Sequence, residues 1–198
     1  MENPFDPGYY REHELRQMGF GAIGDNVRIS SNCTILGLAN IRIGSNVRID
    51  GYSTLVAPGD GYLHIGSFVF VGGYSLLSAG AGIRLDDFVI VSQGCRIYSR
   101  NDDYSGEHLC GHNVPERYAG ITSAAVHLRR HVMLGTGAVV FPGVEIGEGT
   151  AVGALSLVPR GLPEWGIFAG NPIRRLKDRS RRVLELEQEV RRELGLPG

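Results

Sequence analysis

Titratable side chains are concentrated in one stretch of the sequence, residues 99–125, which reads SRNDDYSGEHLCGHNVPERYAGITSAA. Asp102, Asp103 and His108 are the side chains here that are best suited to accept a proton during catalysis. The same residue types also have structural uses. Aspartates in turns accept hydrogen bonds from nearby backbone N–H groups, and a histidine can lie on the surface without a function.

A second pattern in this stretch concerns metal binding. His108, Cys110 and His112 form an H-x-C-x-H sequence. Structural zinc sites use four protein ligands, and no fourth ligand has a defined place here. We therefore expect no metal at this position.

The element that must position these side chains is a repeat of six residues, which is clearest over residues 128–163. Each block opens with an aliphatic residue, namely Leu128, Leu134, Val140, Ile146, Val152 and Val158. A small or β-branched residue follows four positions later, namely Val132, Ala138, Val144, Thr150 and Ser156. A period of six fits neither an α-helix nor a plain strand. It is typical of a parallel β-helix, in which three blocks make one three-sided coil.

The same blocks occur earlier in the chain, in groups of three. Their first residues are Ile23, Ile29 and Ile35, then Ile43, Ile49 and Leu55, then Ile65, Val71 and Leu77, and then Leu85, Val91 and Ile97. Extra residues fall only between groups, as a three-sided coil that tolerates insertions at one corner requires. We therefore expect about six coils, interrupted after Ile97 by a protruding loop over residues 99–125. Loops of this length in compact proteins are usually functional or disordered.

The two ends of the chain have helical patterns. Residues 7–19 predict a short N-terminal helix that caps the β-helix. Residues 178–194 predict a helix with one apolar stripe, which either caps the other end or contacts another subunit. The expected organisation is an N-terminal cap over 1–22, a β-helix over 23–163, and a C-terminal turn and helix over 164–198.

Composition excludes several classes of protein. The chain has 198 residues, a net charge of −1 and a pI near 6.6, so no basic surface indicates nucleic-acid binding. No run of 18 apolar residues predicts membrane insertion, and the first residues do not resemble a signal peptide. We expect a cytoplasmic protein. Cys33 and Cys95 fall on the small inward position of the repeat, which indicates buried thiols rather than a disulfide.

The blocks and the final segment IGEGTAVGALSLVPRGLPEWGIFAGNPIRRLK resemble the hexapeptide-repeat acyltransferases of the galactoside and maltose O-acetyltransferase type. NDDYSGEH, VPERYAG and LPEWGIFAGNP are more similar to the bacterial sugar acetyltransferases of surface-polysaccharide (lipopolysaccharide) biosynthesis. Some of these enzymes N-acetylate amino sugars carried on nucleotides. The resemblance implies a left-handed parallel β-helix, a homotrimer with active sites between subunits, and acetyl-CoA as the co-substrate.

The resemblance also implies which residues contact acetyl-CoA. Gly135, Thr136, Gly153 and Ala154 would line its pantetheine arm. The basic residues and the A-G-N-P turn would lie near the adenine and the phosphates, where converging cations suit a phosphate; they are Arg160, Gly170, Arg174 and Lys177.

The resemblance implies an acid–base residue at the mouth of the protruding loop. In the galactoside and maltose enzymes this residue is a histidine, whereas the corresponding position here is Asp102. A carboxylate with an ordinary pKa near ~3.9 is a weak base for a sugar hydroxyl, but it can orient an amine and take its proton. We therefore expect an amino-sugar acceptor, with Asp102, assisted by Asp103, as the base. The alternative is an O-acetyltransferase in which His108 is the base.

Two further functions remain open. γ-Class carbonic anhydrases use the same β-helix and trimer and bind zinc through three histidines. The candidates here are His64, His127 and His131, although the outward position of His131 also fits a plain surface or interface role. The second open function is a β-helix without catalytic activity that serves in the assembly of proteins. The A-G-N-P exit and its basic residues favour the transferase.

Overall fold

The computed structural model describes residues 6–111 and 113–196 and shows a parallel β-helix. Short strands stack into three sheets, which we call faces 1, 2 and 3 in the order in which the chain visits them. Face 1 contains β1 Ala22–Ile23, β4 Ile41–Ile43, β7 Leu63–Ile65, β10 Ile83–Leu85, β15 Val126–Leu128 and β18 Glu145–Ile146. Face 3 contains β3 Thr34–Leu36, β6 Thr54–Val56, β9 Leu76–Ser78, β12 Arg96–Tyr98, β17 Val139–Val140 and β20 Leu157–Val158.

Face 2 is the longest sheet and ends in an antiparallel strand. Its parallel strands are β2 Arg28–Ile29, β5 Arg48–Ile49, β8 Phe70–Val71, β11 Ile90–Val91, β16 Met133–Leu134, β19 Ala151–Val152 and β21 Gly166–Ala169, and β22 Arg174–Asp178 pairs antiparallel with β21. The remaining elements are helices α1 Glu12–Gln17 and α2 Arg182–Glu193, 3₁₀ turns at Leu38–Asn40 and Glu116–Tyr118, and the hairpin β13 Arg100–Asp102 and β14 Ile121–Ser123. In the described part of the chain, no helix is long and apolar enough to cross a membrane.

The inward aliphatic positions form one continuous core, as the repeat predicts. On face 2, Ile29, Ile49, Val71, Val91 and Leu134 lie above one another, each with none of its surface exposed. The small residues of the blocks over residues 128–163 are also buried. Each coil buries its apolar side chains against the coils on both sides of it, so the stability of the fold grows with the number of coils. Cys95 is fully buried, whereas Cys33 is half-buried, and both thiols are free.

The corners between faces explain the glycines of the repeat. Gly44 follows Ile43, and a Cβ there would lie 2.7 Å from the carbonyl carbon of Gly66 in the next coil. Asn46, two residues further on, has a φ of 58°. Left-handed backbone at the corner is therefore found mainly at residues other than glycine. The glycine that follows the aliphatic residue is needed instead because two backbones approach closely there.

The number of coils differs from the six expected. The structure has about seven turns, because Leu162 bridges to Ile146 on face 1 and β21 continues face 2. Leu162 and Phe168 point inward and are 7% and 6% exposed. They keep the spacing of six between themselves, but Leu162 follows Val158 by only four residues. This shift of phase hides the seventh coil from a search for a strict period.

The C-terminal helix α2 docks on the side of the β-helix through a buried charge. Glu187 is 6% exposed, and its carboxylate accepts hydrogen bonds from Arg130, from His131 Nε2 at 2.7 Å and from Arg191 Nε at 2.6 Å. Burial opposes ionisation of Glu187, but these hydrogen bonds and the charges of Arg130 and His131 outweigh it, so its pKa lies below the ordinary value. The helix therefore packs through Glu187 against the side of the β-helix of its own chain, while Leu186 and Val190 on its apolar stripe remain partly exposed.

Candidate functional site

The protruding loop leaves the β-helix at the corner between face 3 and face 1, which we call the 3–1 corner. Strand β12 ends at Tyr98, and the chain then forms the antiparallel hairpin β13–β14 before it rejoins face 1 at β15. Asp102 is the last residue of β13 and pairs with Ile121 of β14. The hairpin therefore fixes the backbone of Asp102 at the point where the loop widens.

Asp102 and Asp103 have different surroundings. Asp102 is half-buried, and its Oδ1 accepts a hydrogen bond from the Gly111 N–H at 3.3 Å. Asp103 accepts hydrogen bonds from the Ser105 N–H at 2.8 Å and the Ser105 hydroxyl at 2.7 Å. These bonds, together with His108, lower the pKa of Asp103 to about 2. Asp103 is thus the residue that organises the turn, and its carboxylate is a poor base near neutral pH.

His108 lies beside Asp103, with Nδ1 at 3.0 Å from Asp103 Oδ2. Because this carboxylate is ionised, it favours the tautomer with a proton on Nδ1, which leaves Nε2 as the acceptor. The ring packs against Gly120, where a Cβ would lie 2.6 Å from its Cγ. The Cys110 thiol donates to the Asp103 carbonyl at 3.3 Å, and His112 lies outside the described residues.

Most of the residues expected to contact acetyl-CoA lie at the corner between face 2 and face 3, which we call the 2–3 corner. Gly135 and Gly153 begin this corner in successive coils, and Gly135 N donates to Val152 O at 2.7 Å. A Cβ on Gly135 would lie 2.5 Å from Ala154 N, and one on Gly153 would lie 2.8 Å from Ala169 Cβ. Both glycines therefore also have a packing role. Thr136 and Ala154 follow them and are exposed.

The expected phosphate-contacting residues divide between two corners. Gly170 continues the 2–3 corner with a φ of 100°, and its N–H donates to Ser156 Oγ at 2.9 Å. Arg174 pairs with Ala169 and Lys177 with Ile167 on the β21–β22 hairpin. Arg160, by contrast, follows β20 at the 3–1 corner. The side chains of Arg160, Arg174 and Lys177 are exposed, and within the described residues none of the three forms an ion pair.

The three histidines considered as zinc ligands do not converge within this chain. His64 and His127 occupy one ladder of face 1 with Arg84 between them. Burial, together with the charges of Arg42 and Arg84, lowers the pKa of His64. His127 Nε2 contacts Asp86 Oδ2 at 2.9 Å. The outward position of His131 predicts a surface or interface role, and the structure buries the side chain beneath α2. The described residues contain no group of three or more His, Cys, Asp or Glu that could hold a metal.

Two features of the 2–3 corner are absent from the expectations. Ser92 occupies the position that Gly135 occupies one coil later, since its N–H donates to Leu134 O. Tyr52 and Tyr74 lie at the same corner, in coils two and three, and their rings stack. The sequence carries a signal for both. Ser92 aligns with Gly135 when the blocks are superposed, and the triplet G-Y-S occurs twice at one position of the block.

Comparisons with known proteins agree on the fold and on the chemistry. No family model matches the chain. It is 36% identical over 179 residues to a dTDP-4-amino-4,6-dideoxy-D-glucose acyltransferase of Escherichia coli, covering 90% of this chain and 93% of that protein. It is 28% identical over 145 residues to a putative colanic acid biosynthesis acetyltransferase of Escherichia coli K12, covering 73% of each.

Among solved structures, AntD, an N-acyltransferase from Bacillus cereus in complex with dTDP and 3-hydroxybutyryl-CoA, superposes with a TM-score of 0.91. The two sequences are 37% identical, and the match covers 95% of this chain and 98% of that one. Other AntD structures carry substitutions at one serine and at one aspartate ten residues further along, and two with the serine substituted hold dTDP-4-amino-4,6-dideoxyglucose with coenzyme A.

Identity at this level over nearly the full length of both chains, together with the repeat and the three-sided coil, establishes the relationship. These relatives are acyltransferases, and the solved ones hold coenzyme A or an acyl-CoA. The chain therefore belongs to the left-handed β-helix, hexapeptide-repeat acyltransferases and is an acyl-CoA-dependent enzyme.

Proposed function

We propose that this enzyme transfers an acetyl group from acetyl-CoA to the amine of a sugar linked to a nucleotide, with a dTDP-linked 4-amino-4,6-dideoxyhexose as the acceptor class. The observation that carries this proposal is the carboxylate of Asp102 at the base of the protruding loop. The relative with 37% identity over nearly the whole chain is an N-acyltransferase that was solved with such an amino sugar.

The spacing of two residues supports the role of Asp102. In this sequence, Ser92 and Asp102 are the one serine and aspartate separated by ten residues. The substituted serine and aspartate of AntD have the same separation. Both Ser92 and Asp102 are half-buried, and Ser92 lies on the corner that carries Gly135 and Gly153.

The reaction requires one proton transfer. The neutral amine attacks the thioester carbonyl carbon, so that an N–C bond forms and the C–S bond breaks. The nitrogen loses one proton to the Asp102 carboxylate, and the departing thiolate of coenzyme A finally takes that proton up. A carboxylate suffices because the nitrogen becomes strongly acidic once it has attacked, whereas a sugar hydroxyl must lose its proton as it attacks.

The three-sided shape of the β-helix supports an active site that is shared between subunits. Asp102 leaves from the 3–1 corner, whereas Ser92, Gly135 and Gly153 lie at the 2–3 corner, so strand β12 of face 3 separates the two within one chain. A site that contains both groups is completed when the loop of one subunit reaches the 2–3 corner of another. We propose the homotrimer that the family resemblance implies, with Thr136 and Ala154 along the pantetheine arm and Arg174, Lys177 and Arg160 near the phosphates. Acetyl-CoA and nucleotide sugars are cytoplasmic metabolites, so we place the enzyme in the cytoplasm.

One observation favours a second candidate, a sugar O-acetyltransferase. The contact between Asp103 Oδ2 and His108 Nδ1 at 3.0 Å resembles the carboxylate–imidazole pairs that orient a histidine base. In that reaction His108 Nε2 would take the proton of a hydroxyl.

The test measures release of coenzyme A thiol from acetyl-CoA with three acceptors, namely a dTDP-4-amino sugar, maltose and a galactoside. We expect turnover with the amino sugar alone and a fall in kcat of about 10²–10⁴-fold in Asp102→Asn. Asp103→Asn and His108→Gln are the matched controls in the same loop, and each should keep kcat within about tenfold, because they affect the shape of the loop rather than the proton transfer.

Turnover with hydroxyl acceptors that is lost in His108→Gln and kept in Asp102→Asn would contradict the proposal and establish the O-acetyltransferase. Absence of turnover by the wild-type protein with all three acceptors would contradict both reactions.

A further inference from the structure

The 2–3 corner carries two aromatic side chains where a surface would ordinarily be polar. Tyr52 and Tyr74 are 60% and 63% exposed, and their ring centroids are 4.9 Å apart with an interplanar angle of 14°. Both residues have left-handed backbone, with φ of 59° and 61°. Large exposed rings in this conformation add little to the core, so their presence indicates a ligand contact.

The outer face of the Tyr74 ring is open. Tyr52 and Tyr74 occupy the same position of the 2–3 corner in successive coils, and we call the residues at this position the corner column. The next residue of the corner column is Gly94, whose N–H donates to Gly73 O at 2.9 Å. A Cβ on Gly94 would meet no atom closer than Gly137 N at 4.0 Å. Beyond it, Leu155 leans over Gly137, with its Cδ2 2.8 Å from the position of a Cβ there. Since coils repeat every ~4.8 Å, the row of Gly94 leaves room for one planar ring between Tyr74 and Leu155.

Polar groups flank this open row on both sides. Gln93 is exposed and lines the same groove as Tyr52 and Tyr74, and among the described residues its side chain has no hydrogen bond. Arg96 lies on face 3, and its guanidinium donates to the Tyr74 carbonyl at 2.9 Å without an ion-pair partner in the described part of the chain. An amide suits the edge of a nucleobase, and a guanidinium without an ion-pair partner suits a phosphate.

The position along the axis fits an acceptor rather than the acyl donor. On the proposed function, acetyl-CoA lies along Gly135 and Gly153 in coils five and six, so its acyl group would lie towards coil four, where Ser92 occupies the equivalent position. The acceptor must then extend from coil four towards the N-terminal coils, where this corner presents Tyr74 and Tyr52. A sugar diphosphate nucleoside spans about three coils of ~4.8 Å.

We propose that Tyr74, supported by Tyr52 and facing the row of Gly94, is the stacking platform for the pyrimidine base of the nucleotide-linked acceptor, with Gln93 at the edge of the base and Arg96 at the diphosphate. This inference rests on the proposed function, because it assigns a subsite for the same acceptor. Stacking on an aromatic side chain suits any base, so discrimination between bases falls to Gln93.

The experiment measures by calorimetry the Kd of thymidine diphosphate, of pyrophosphate and of coenzyme A. Tyr74→Leu removes the platform, and leucine is accepted at this corner position because Leu155 occupies it with a φ of 56°. We expect the Kd of thymidine diphosphate to rise about tenfold or more, while the Kd of coenzyme A stays within about twofold. Tyr74→Phe should bind thymidine diphosphate nearly as the wild type does.

Phe68→Leu is the matched control. Phe68 stacks on Phe88 with centroids 4.7 Å apart and has a φ of 59°, but it lies at the corner between faces 1 and 2. It should leave both dissociation constants unchanged. Gly94→Asn is the second variant, since it fills the open row and asparagine adopts this backbone at Asn46. It should weaken thymidine diphosphate binding even if Tyr74→Leu does not fold.

The possible outcomes separate the two proposals. A wild-type protein that binds coenzyme A but not thymidine diphosphate would overturn the nucleotide-linked acceptor itself. A wild type that binds thymidine diphosphate, with an unchanged Kd in Tyr74→Leu or Gly94→Asn, would overturn only the platform. Equal affinity of the wild type for thymidine diphosphate and pyrophosphate would also overturn the platform, because the base would then add nothing to binding. Dissociation of Tyr74→Leu into smaller species by light scattering would show instead that the tyrosines hold subunits together.

Discussion

The docking of helix α2 depends on one buried carboxylate, so Glu187→Gln should destabilise the folded protein markedly. Glu187 is the common partner of Arg130, His131 and Arg191, and its side chain is 5% exposed. A glutamine is nearly isosteric but turns an –NH₂ group towards a ring of donors. Breaking a buried pair by removing one partner costs about 3–5 kcal/mol.

The exposure of the cations reduces this figure. The Arg130 side chain is 42% exposed and the Arg191 side chain 19%, so both guanidinium groups can regain contact with water in the variant. We therefore expect a loss of about 2–3 kcal/mol in the free energy of unfolding, a fall in Tm of roughly 4–12 °C for a chain of this length. Thermal and urea unfolding at pH 7 measure it, with Glu189→Gln on the exposed side of the same helix as the control.

The contribution of Glu187 to stability should depend on pH in a defined direction. Because the folded-state pKa of Glu187 lies below its ordinary value of 4.5, its contribution to stability is fully present above that value and is lost as the pH falls through the folded-state pKa. The difference in Tm between wild type and Glu187→Gln should therefore be present at pH 7 and shrink below about pH 4. A difference that is absent at pH 7, or equal to that of Glu189→Gln, would refute the view that Glu187 holds the helix in place.

Two further predictions concern the glycine at the 2–3 corner and the basic residues of strand β22. Gly135→Ala should cost about 1–3 kcal/mol, seen as a lower Tm, because its Cβ would lie 2.5 Å from Ala154 N; Gly161→Ala, with Glu145 O at 3.2 Å, is the milder control, and equal effects would contradict the close-approach role. Arg174→Ala and Lys177→Ala should each raise the Kd of coenzyme A by roughly threefold to tenfold at low salt. Arg175→Ala, whose guanidinium pairs with Asp178 at 2.6 Å, should change it little, and loss of affinity in that variant alone would contradict the assignment.

The period of six was sufficient to predict the β-helix, its three faces, the inward residues and the place of the loop. These features follow from the sequence because each inward residue repeats one local geometry, so the pattern encodes burial directly. The seventh coil escaped because the chain shortens by two residues between Val158 and Leu162. A strict period reads such a shift as the end of the repeat, although Leu162 and Phe168 still point inward.

Contacts between distant segments could not be predicted in the same way. The position of His131 in its block points outward and predicts a surface or interface role, which is correct for the β-helix alone. The structure buries it because α2, more than 50 residues later in the sequence, covers that corner with Glu187. Likewise, Asp102 and Asp103 are identical as residues, but the hydrogen bonds from Ser105, together with His108, lower the pKa of Asp103 to about 2 and leave Asp102 as the available carboxylate.

The β-helix offers a physical reason why one enzyme can bind two long, chain-like ligands end to end. Inward residues are fixed by packing, whereas the corner residues with left-handed backbone point outward and can change from coil to coil without disturbing the core. At the 2–3 corner this column reads Tyr52, Tyr74, Gly94, Gly137 and Leu155. Rings occupy its N-terminal part, and the residues after Tyr74 are glycines and one leucine. On the proposed function, the N-terminal coils therefore determine which nucleotide is accepted, and the C-terminal coils determine how acetyl-CoA is held. Substitutions in either set should alter the Kd of one ligand and leave the other unchanged, because coils three and five are joined by a rigid stack of backbone hydrogen bonds rather than by a hinge.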